Sequence, residues 1–274
     1  MEIVLIDIGV FQPYILDNIR NLKLFGNDTI TVITDKYLVD NFKNVNVSIV
    51  LTSDIDDNEF DKKNKLSTGF WANCSKRLFL LYNYMKKYNK TNCIHIENDY
   101  LIYFKANEVQ FGNSMWLTMD SPDRCIPGII FVPDFMSLLQ LTVSYDFGQN
   151  DMVNMARFYK RGTSKNLPIL HEHVLFENHF DTFQMIFDAA AIGQYLGGID
   201  MIHTNGGVPG FVNETCVVDY SKYTFHWVKE DTNFVPMLKT NETFYKIAGL
   251  HIHSKRLHNF QGDLPIEKNL ITFL

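Results

Sequence analysis

An α/β fold, with a mostly parallel central sheet flanked by helices, is predicted by three features of this sequence. Strand-like and helix-like segments alternate over residues 1–52, the strand-like runs are rich in Ile and Val, and the composition supplies a large core. Hydrophobic residues make up 46% of the 274 positions and charged residues 20%, which is typical of a packed globular chain. Strands that alternate with helices form parallel sheets. The sequence has no internal repeat, low-complexity tract or clear linker, so we predict one domain over residues 1–274.

The opening segments justify this fold class in order. Residues 2–8 form an apolar run that stops at Gly9, which is typical of a buried strand. Residues 13–25 have Pro13 in the first turn and Gly26 just past the end, as helices do. The runs 29–34 and 45–51 predict two further strands.

Two acids stand at the ends of the first two predicted strands. In open α/β sheets, ligands bind beyond the carboxyl ends of the strands. Asp7 and Asp35 occupy those ends and are candidates for contacts to the ribose or base of a nucleotide. The alternative is that each acid only ends its strand in a turn.

The most informative stretch is an apolar strand that runs into Glu97-Asn98-Asp99 and then resumes as an apolar run. Carboxylates at i and i+2 point the same way in an extended chain. Two such groups at the end of a buried strand pack poorly but are good ligands for hard cations. The alternative is a polar hairpin turn.

A helix over residues 69–88 precedes this motif, with Lys76 and Arg77 at its middle. Its apolar residues recur at helical spacing, so one face is expected to be buried. Arg77 is a candidate cation for a diphosphate, and a solvated helix face is the alternative.

The late segment 249–253 predicts a strand in which His251 and His253 share one face. One of these imidazoles could complete a Mn²⁺ or Mg²⁺ site that begins with Glu97 and Asp99. Such ions take few protein ligands and fill the remaining positions with phosphate oxygens and water. Lys255 would then face the same diphosphate.

The remaining pattern predicts further elements. Strands are expected over 114–119, 126–132 and 223–227, and helices over 134–141, 151–161 and 187–196, the last beginning with Asp188. His171-Glu172-His173 does not have the spacing of a helical zinc pair, so we interpret it as loop.

Together these motifs resemble the GT-A-fold glycosyltransferases, which have an acid-x-acid motif and a C-terminal His followed by Lys. The segment FDAAAIGQYLGG at 187–198 also resembles surface-polysaccharide glycosyltransferases of bacteria and large DNA viruses. One departure is that the Lys lies closer to the His than in the glycogenin-like pattern His-Phe-x-Gly-x-x-Lys. Either His251 or His253 could therefore be the ligand.

The resemblance implies a single GT-A (Rossmann-like) domain and a transferase that uses Mn²⁺ or Mg²⁺. Residues 1–105 would form the nucleotide-binding half and residues 106–274 the acceptor half, with the C-terminal His/Lys segment. The implied metal ligands are Glu97, Asp99 and His251 or His253. The implied donor is a UDP- or GDP-sugar, bound with Asn98 and Lys255, and the acceptor is a glycan or glycoconjugate.

An inverting enzyme of this kind needs a carboxylate base beside the acceptor hydroxyl. Asp188 is our first candidate, followed by Asp200 and Glu214. The alternative for Asp188 is an acid stabilised by a helix dipole, and the stereochemistry stays open. The candidates for stacking on sugar rings are Trp71, Trp116, Trp227, Tyr223 and Phe225.

Bulk properties exclude other classes. The net charge of −6 argues against a nucleic-acid binder with a general basic surface. The four cysteines have no CxxC pairing, so a zinc knuckle or disulfide scaffold is not expected. The N-terminus resembles a strand and not a signal peptide, and no run of 18 apolar residues occurs. We expect a cytoplasmic protein, in the host cytoplasm if the source is viral.

Two alternatives to a glycosyltransferase stay open. The first is a metal-dependent phosphoesterase or nucleotidyltransferase, which typically needs more clustered Asp and His ligands for two metals. The second is a non-catalytic nucleotide- or carbohydrate-binding module, because Glu97 replaces the first Asp of the motif.

Overall fold

The computed structural model describes residues 1–66, 69–170, 179–196, 222–240, 243–263 and 271–273. Its strands are β1 (Glu2–Asp7), β2 (Ile30–Thr34), β3 (Ser48–Leu51), β4 (Thr91–Ile96), β5 (Tyr100–Ile102), β6 (Met115–Ser121), β7 (Arg124–Asp134), β8 (Ser164–Asn166), β9 (Met185–Phe187), β10 (Thr224–Glu230), β11 (Asn233–Thr240), β12 (Thr243–His251) and β13 (Ile271–Phe273). Its α-helices are α1 (Tyr14–Leu24), α2 (Thr52–Ile55), α3 (Glu59–Lys63), α4 (Gly69–Lys87), α5 (Phe135–Val143), α6 (Asp151–Lys160), α7 (Phe180–Phe183) and α8 (Ile192–Tyr195).

The first sheet has seven strands in the order β3-β2-β1-β4-β7-β6-β8. Strand pairs β1·β2, β2·β3, β1·β4 and β6·β8 are parallel, whereas β4·β7 and β6·β7 are antiparallel. The order 3-2-1-4 is also that of dinucleotide-binding sheets. The predicted α/β fold with a mostly parallel central sheet is therefore confirmed.

Helices cover both faces of this sheet. Ile15, Ile19 and Leu22 of α1 pack into the apolar cluster on one face, and α4 packs on the other through Leu78 and Leu81. Every residue of β1 is buried, as expected for a parallel strand between two helical layers.

A second sheet of six strands was not predicted. Its order is β13-β10-β11-β12-β5, and β9 pairs with β12. Strand β5 follows β4 after three residues but pairs with β12 and not with the first sheet. The acid motif therefore lies where the chain leaves one sheet and enters the other.

The predicted helix over 187–196 is wrong. Strand β9 ends at Phe187, and only α8 is helical in this stretch. The Asp188 carboxylate accepts backbone N–H groups of the following turn, and such local bonds compete with a helix. Ala190 has a φ of 58°, a left-handed value that a continuous helix does not allow.

Several predicted features lie outside the described residues. They are the His171-Glu172-His173 segment and two candidate bases, Asp200 and Glu214. Among the helices that the structure describes, none is long and apolar enough to cross a bilayer.

Candidate metal and active site

The acid motif forms a tight turn between β4 and β5. The Tyr100 N–H donates to the Glu97 carbonyl at 3.0 Å. Asn18 of α1 is fully buried, and its Nδ2 donates to the carbonyls of Glu97 (3.2 Å), Asn98 (3.1 Å) and Tyr100 (3.0 Å). A buried amide is stable only when it is hydrogen-bonded, so α1 and the acid turn fix each other.

Strand β12 carries His251 to these acids. His251 pairs with Tyr100 in the antiparallel register of β12 and β5, and the Ile252 N–H donates to the Asp99 carbonyl at 2.9 Å. The imidazole Nε2 lies 3.1 Å from Oε2 of Glu97 and 3.2 Å from Oδ2 of Asp99. One nitrogen thus faces a carboxylate oxygen from each acid.

Two cations complete the cluster. The Arg77 guanidinium of α4 donates to Oε1 of Glu97, and the Lys255 ammonium pairs with Oδ2 of Asp99. Lys255 Nζ also lies 5.7 Å from the centroid of the Tyr14 ring. Both acids therefore have cationic partners in the described structure.

These contacts shift the titration of the cluster. Burial alone would raise the pKa of Glu97 and of Asp99. For Glu97, the charges of Arg77 and His251 outweigh burial and lower the pKa. For Asp99, Lys255 and His251 hold the pKa well below its usual range. Burial opposes a charged His251, but the two acids outweigh it and raise its pKa.

His253 lies beside this cluster and packs against His251. Its ring centroid lies 4.4 Å from that of His251, and its Nδ1 lies 2.9 Å from Nε2 of Gln194. Burial, followed by the charge of His251, lowers the pKa of His253 to about 3. Of the two histidines, His251 is the one that faces both acids.

Asp188 fixes the backbone beneath His251. Its two oxygens accept N–H groups from Ala191 (2.7 Å), Ile192 (2.8 Å), Gly193 (2.8 Å) and His251 (2.9 Å). It is fully buried, and burial raises its pKa despite these bonds. A Cβ at Gly193 would lie 2.2 Å from the His251 carbonyl, so this close approach requires glycine. These contacts argue against Asp188 as the base and favour a positioning role.

A cavity of about 320 Å³ opens over the cluster. Eight of the residues predicted from the sequence line it, namely Trp71, Arg77, Glu97, Asn98, Asp99, His251, His253 and Lys255. The Asn98 amide donates to Oε1 of Gln12 at 2.8 Å and to the Ile6 carbonyl at 3.2 Å. The structure thus brings the metal-ligand candidates and two of the cation candidates into one cavity.

Asp7, Asp35 and Asp188 are not among the lining residues. Asp7 is buried, and its Oδ1 accepts from Asn98 at 3.3 Å. Burial raises the pKa of Asp7 to about 7. Asp35 accepts from the Gly9 N–H at 2.8 Å and from the Thr52 hydroxyl at 2.6 Å. Asp7 thus contacts Asn98, a lining residue, whereas Gly9 and Thr52, which bond Asp35, are not among the lining residues.

Sequence reasoning missed three residues of the site. Asn18 carried a signal, because a buried Asn on the apolar face of a helix needs partners. Gln12 and Asp151 line the cavity but have no diagnostic spacing. Asp151 opens α6, where an acid is ordinarily explained by the helix dipole.

The residues present fit a divalent metal ion. Glu97, Asp99 and His251 offer ligand atoms that all lie within 4.8 Å of one another. Two carboxylates and one imidazole suit Mn²⁺, and Mg²⁺ accepts the oxygens. Nδ1 of His251 is buried and has no hydrogen-bond partner among the described residues, so these residues do not supply the outer-shell partner that usually orients a metal-binding imidazole.

Comparison with known proteins gives low but recurrent similarity. No protein-family model and no curated protein matches this chain. The galactosyltransferase LgtC, solved in complex with donor and acceptor sugar analogues, is 11% identical over 61% of this chain and 73% of its own, with a TM-score of 0.45. Mouse xyloside xylosyltransferase 1 is 7% identical over 60% of this chain and 83% of its own, with a TM-score of 0.40.

A cytidylyltransferase from Leptospira borgpetersenii is 9% identical over 77% of this chain and 89% of its own, with a TM-score of 0.39. All three TM-scores lie below 0.5, so no functional assignment follows from them. The fold itself is clear from the sheet order and from the acid turn after β4. It is a Rossmann-like α/β fold with the strand order β3-β2-β1-β4.

Proposed function

We propose that this protein is a metal-dependent glycosyltransferase, hexosyltransferase-like, that moves a sugar from a nucleotide diphospho-sugar to a glycan or glycoconjugate. The convergence of Glu97, Asp99 and His251 from two distant segments on one cavity supports this proposal. A cation, Lys255, stands at the same place. Sugar transfer needs this combination, because negative charge builds up on the leaving diphosphate.

The ion would be held by Glu97, Asp99 and His251, and when bound it would supply Lewis-acid stabilisation of the diphosphate oxygens. Lys255 is proposed to leave Asp99 and pair with the diphosphate, since a carboxylate that takes a metal no longer needs the ammonium. Arg77 is proposed to keep Glu97 oriented. Asn98, held by Gln12, is proposed to face the nucleoside.

The alternative enzyme class needs more ligands than the described residues provide. A two-metal phosphoesterase or nucleotidyltransferase holds its ions about 4 Å apart, with a second set of acids or histidines. In the part of the chain that the structure describes, one group of three candidate ligands occurs. A non-catalytic module remains the other alternative, and the buried pairing of both acids with cations does not favour a decayed site.

We also propose that residues 1–105 supply the nucleotide-binding half and residues 106–274 the acceptor half of one working unit. His251 then closes the metal site from the second half. A UDP- or GDP-sugar donor and a cytoplasmic location stay predictions.

The test is a thermal-shift panel of UDP- and GDP-sugars with and without Mn²⁺, repeated with EDTA. A ligand that binds only the folded state raises the melting temperature. At least one nucleotide sugar should therefore raise it when Mn²⁺ is present, and not when Mn²⁺ is omitted or removed by EDTA. A free sugar that stabilises the protein without metal would support the binding module. Release of phosphate from p-nitrophenyl phosphate would support the phosphoesterase. No metal-dependent shift for any nucleotide sugar would contradict the proposal.

A further inference from the structure

Asp151 is a buried carboxylate in the cavity that the proposed donor site does not use. It is 2% exposed and opens α6 after the Asn150 cap. Its Oδ1 accepts the Met152 N–H at 3.0 Å, and its Oδ2 lies 3.7 Å from Nη2 of Arg77. Burial raises the pKa of Asp151 to about 6, although Arg77 opposes this shift. A carboxylate that is buried this completely ordinarily serves a structural or a catalytic role.

Among the described lining residues, Asp151 is the one carboxylate that is not assigned to the metal group and could act as a base. The lining contains three carboxylates, Glu97, Asp99 and Asp151. The first two face His251 and belong to the metal group. Asp188 is outside the lining, and backbone N–H groups occupy its oxygens.

The cavity that Asp151 lines also has apolar and aromatic lining residues. Phe70 and Trp71 of the first turn of α4 line it together with Met152, which follows Asp151. The two rings meet edge to face, with centroids 5.0 Å apart. Phe70 is 66% exposed, so it is not a core residue. Ligand pockets are lined mainly by apolar and aromatic side chains, so these residues suit a ligand-binding wall.

We propose that Phe70, Trp71 and Met152 form an acceptor subsite in which a hydroxylated ring packs on the aromatic side chains and its reacting hydroxyl donates to Asp151. This inference rests on the proposed glycosyltransferase function. The acceptor subsite would then contain residues of both predicted halves, since α4 belongs to the first half and α6 to the second.

The chemical step balances as a single displacement. The acceptor O–H gives its proton to Oδ2 of Asp151, and the acceptor oxygen forms the new bond to the anomeric carbon of the donor sugar. The bond from that carbon to the diphosphate breaks, and its electron pair leaves with the diphosphate oxygen. The proton then passes to solvent, and the configuration at the anomeric carbon inverts.

A purely structural role for Asp151 makes a different prediction. If Asp151 served only as a counterion of Arg77, its loss would disturb Glu97 through Arg77 and weaken metal and nucleotide binding. If Asp151 takes the acceptor proton, its loss leaves donor binding intact and lowers turnover. The two readouts separate these roles.

The experiment uses Asp151→Asn, which keeps the oxygen that accepts the Met152 N–H. The donor is the nucleotide sugar that gives the largest Mn²⁺-dependent thermal shift. Release of the nucleoside diphosphate is measured with water and with methyl glycosides as acceptors. We expect turnover to fall by about 10² to 10⁴-fold, the usual contribution of a general base. The dissociation constant of the Mn²⁺–nucleoside diphosphate complex should stay within about twofold. Turnover within about threefold of wild type, or a parallel loss of nucleotide affinity, would overturn the proposal.

The matched control is Asp146→Asn, an exposed acid just ahead of α6 that pairs with Arg157. It should leave turnover unchanged. Trp71→Leu should raise the Michaelis constant for the glycoside about three- to tenfold, as expected for the loss of ring stacking, while Tyr88→Leu, an exposed ring elsewhere, should not.

Tryptophan fluorescence supplies a readout that needs no turnover. Of the three tryptophans, Trp116 and Trp227 are buried and Trp71 lines the cavity. Methyl glycosides added to the complex with Mn²⁺ and nucleoside diphosphate should change the emission of wild type and not that of Trp71→Leu. No change with any glycoside would overturn the subsite. Failure of Mn²⁺–nucleotide binding in wild type would instead contradict the proposed function itself.

Discussion

Nε2 of His251 lies 3.2 Å from Oδ2 of Asp99, although the two residues belong to opposite halves of the chain. The pairing of β12 with β5 creates this contact, because β5 begins one residue after Asp99. The Ile252 N–H donates to the Asp99 carbonyl, and the His251 N–H donates to Oδ2 of Asp188. The metal proposal therefore depends on strand register, which is a rigid feature of the fold.

Asp99→Asn is expected to abolish metal-dependent nucleotide binding. The change removes a ligand charge, so Mn²⁺ affinity should fall by more than about 100-fold, beyond the 10 to 100-fold typical of outer-shell changes. Calorimetry with Mn²⁺ and UDP measures this, and circular dichroism checks the fold. An unchanged metal-dependent affinity would contradict the role of Asp99.

His251→Ala and His253→Ala should differ in their effect. His251 faces both acids, whereas His253 contacts Gln194. We expect Mn²⁺ affinity, followed by electron paramagnetic resonance, to fall by more than about 100-fold in the first variant and by less than about tenfold in the second. Equal losses would show that both imidazoles bind the ion or that neither does.

Lys255→Met should weaken diphosphate binding more than nucleoside binding. A charge-assisted bond contributes about 1.5–3 kcal/mol, which corresponds to about 10 to 100-fold in the dissociation constant of UDP. The affinity for uridine should not change, and titration of both ligands in the presence of Mn²⁺ makes the comparison. A similar loss for UDP and uridine would count against the proposed contact.

Asp188→Asn should destabilise the protein and displace His251. The amide NH₂ cannot accept the N–H groups of Gly193 and His251 that Oδ2 now accepts. Leaving buried donors unpaired costs about 1–3 kcal/mol each, so the loss of two bonds should lower the free energy of unfolding in urea by about 2–6 kcal/mol. Asp181→Asn, an exposed acid nearby, is the control. Full stability with lost turnover would restore Asp188 as a candidate base.

Asp7 should make stability depend on pH. Burial raises its pKa from 3.8 to about 7, so the folded protein binds this proton more tightly than the unfolded chain does. The resulting stabilisation is present below about pH 4 and is lost as the pH rises through 7. Relative to Asp7→Asn, wild type should therefore lose up to about 4 kcal/mol between pH 4 and pH 8, at about 1.4 kcal/mol for each pKa unit. If the free energies of unfolding of wild type and Asp7→Asn change equally with pH across this range, the pKa of Asp7 is not raised by folding.

The sequence predicted the elements whose signals are local. Strand β1, helix α1 and strand β2 follow from apolar runs with Pro and Gly at their ends, and the acid motif follows from its spacing. The second sheet was not predicted, because the pairing of β5 with β12 is a long-range contact with no local signature. The helix predicted over 187–196 failed because one carboxylate, Asp188, binds the backbone that the helix would have used.

The candidate site was predicted in part. Seven residues chosen from motifs line one cavity. Six of them came from the acid motif after a strand and from the late His/Lys segment, and Arg77 came from the middle of a predicted helix. Asp151 was missed, since an acid in the first turn of a helix has an ordinary explanation. Among the aromatic candidates, only burial could separate Trp71 at the cavity from Trp116 and Trp227 in the core.

A crystal soaked with Mn²⁺ and UDP, with data collected at the manganese absorption edge, tests the central claim most directly. We predict one anomalous peak within coordination distance of Asp99 and Nε2 of His251, with diphosphate oxygens on the same ion and Lys255 turned towards them. A nucleotide bound elsewhere, or a peak remote from both side chains, would contradict the account.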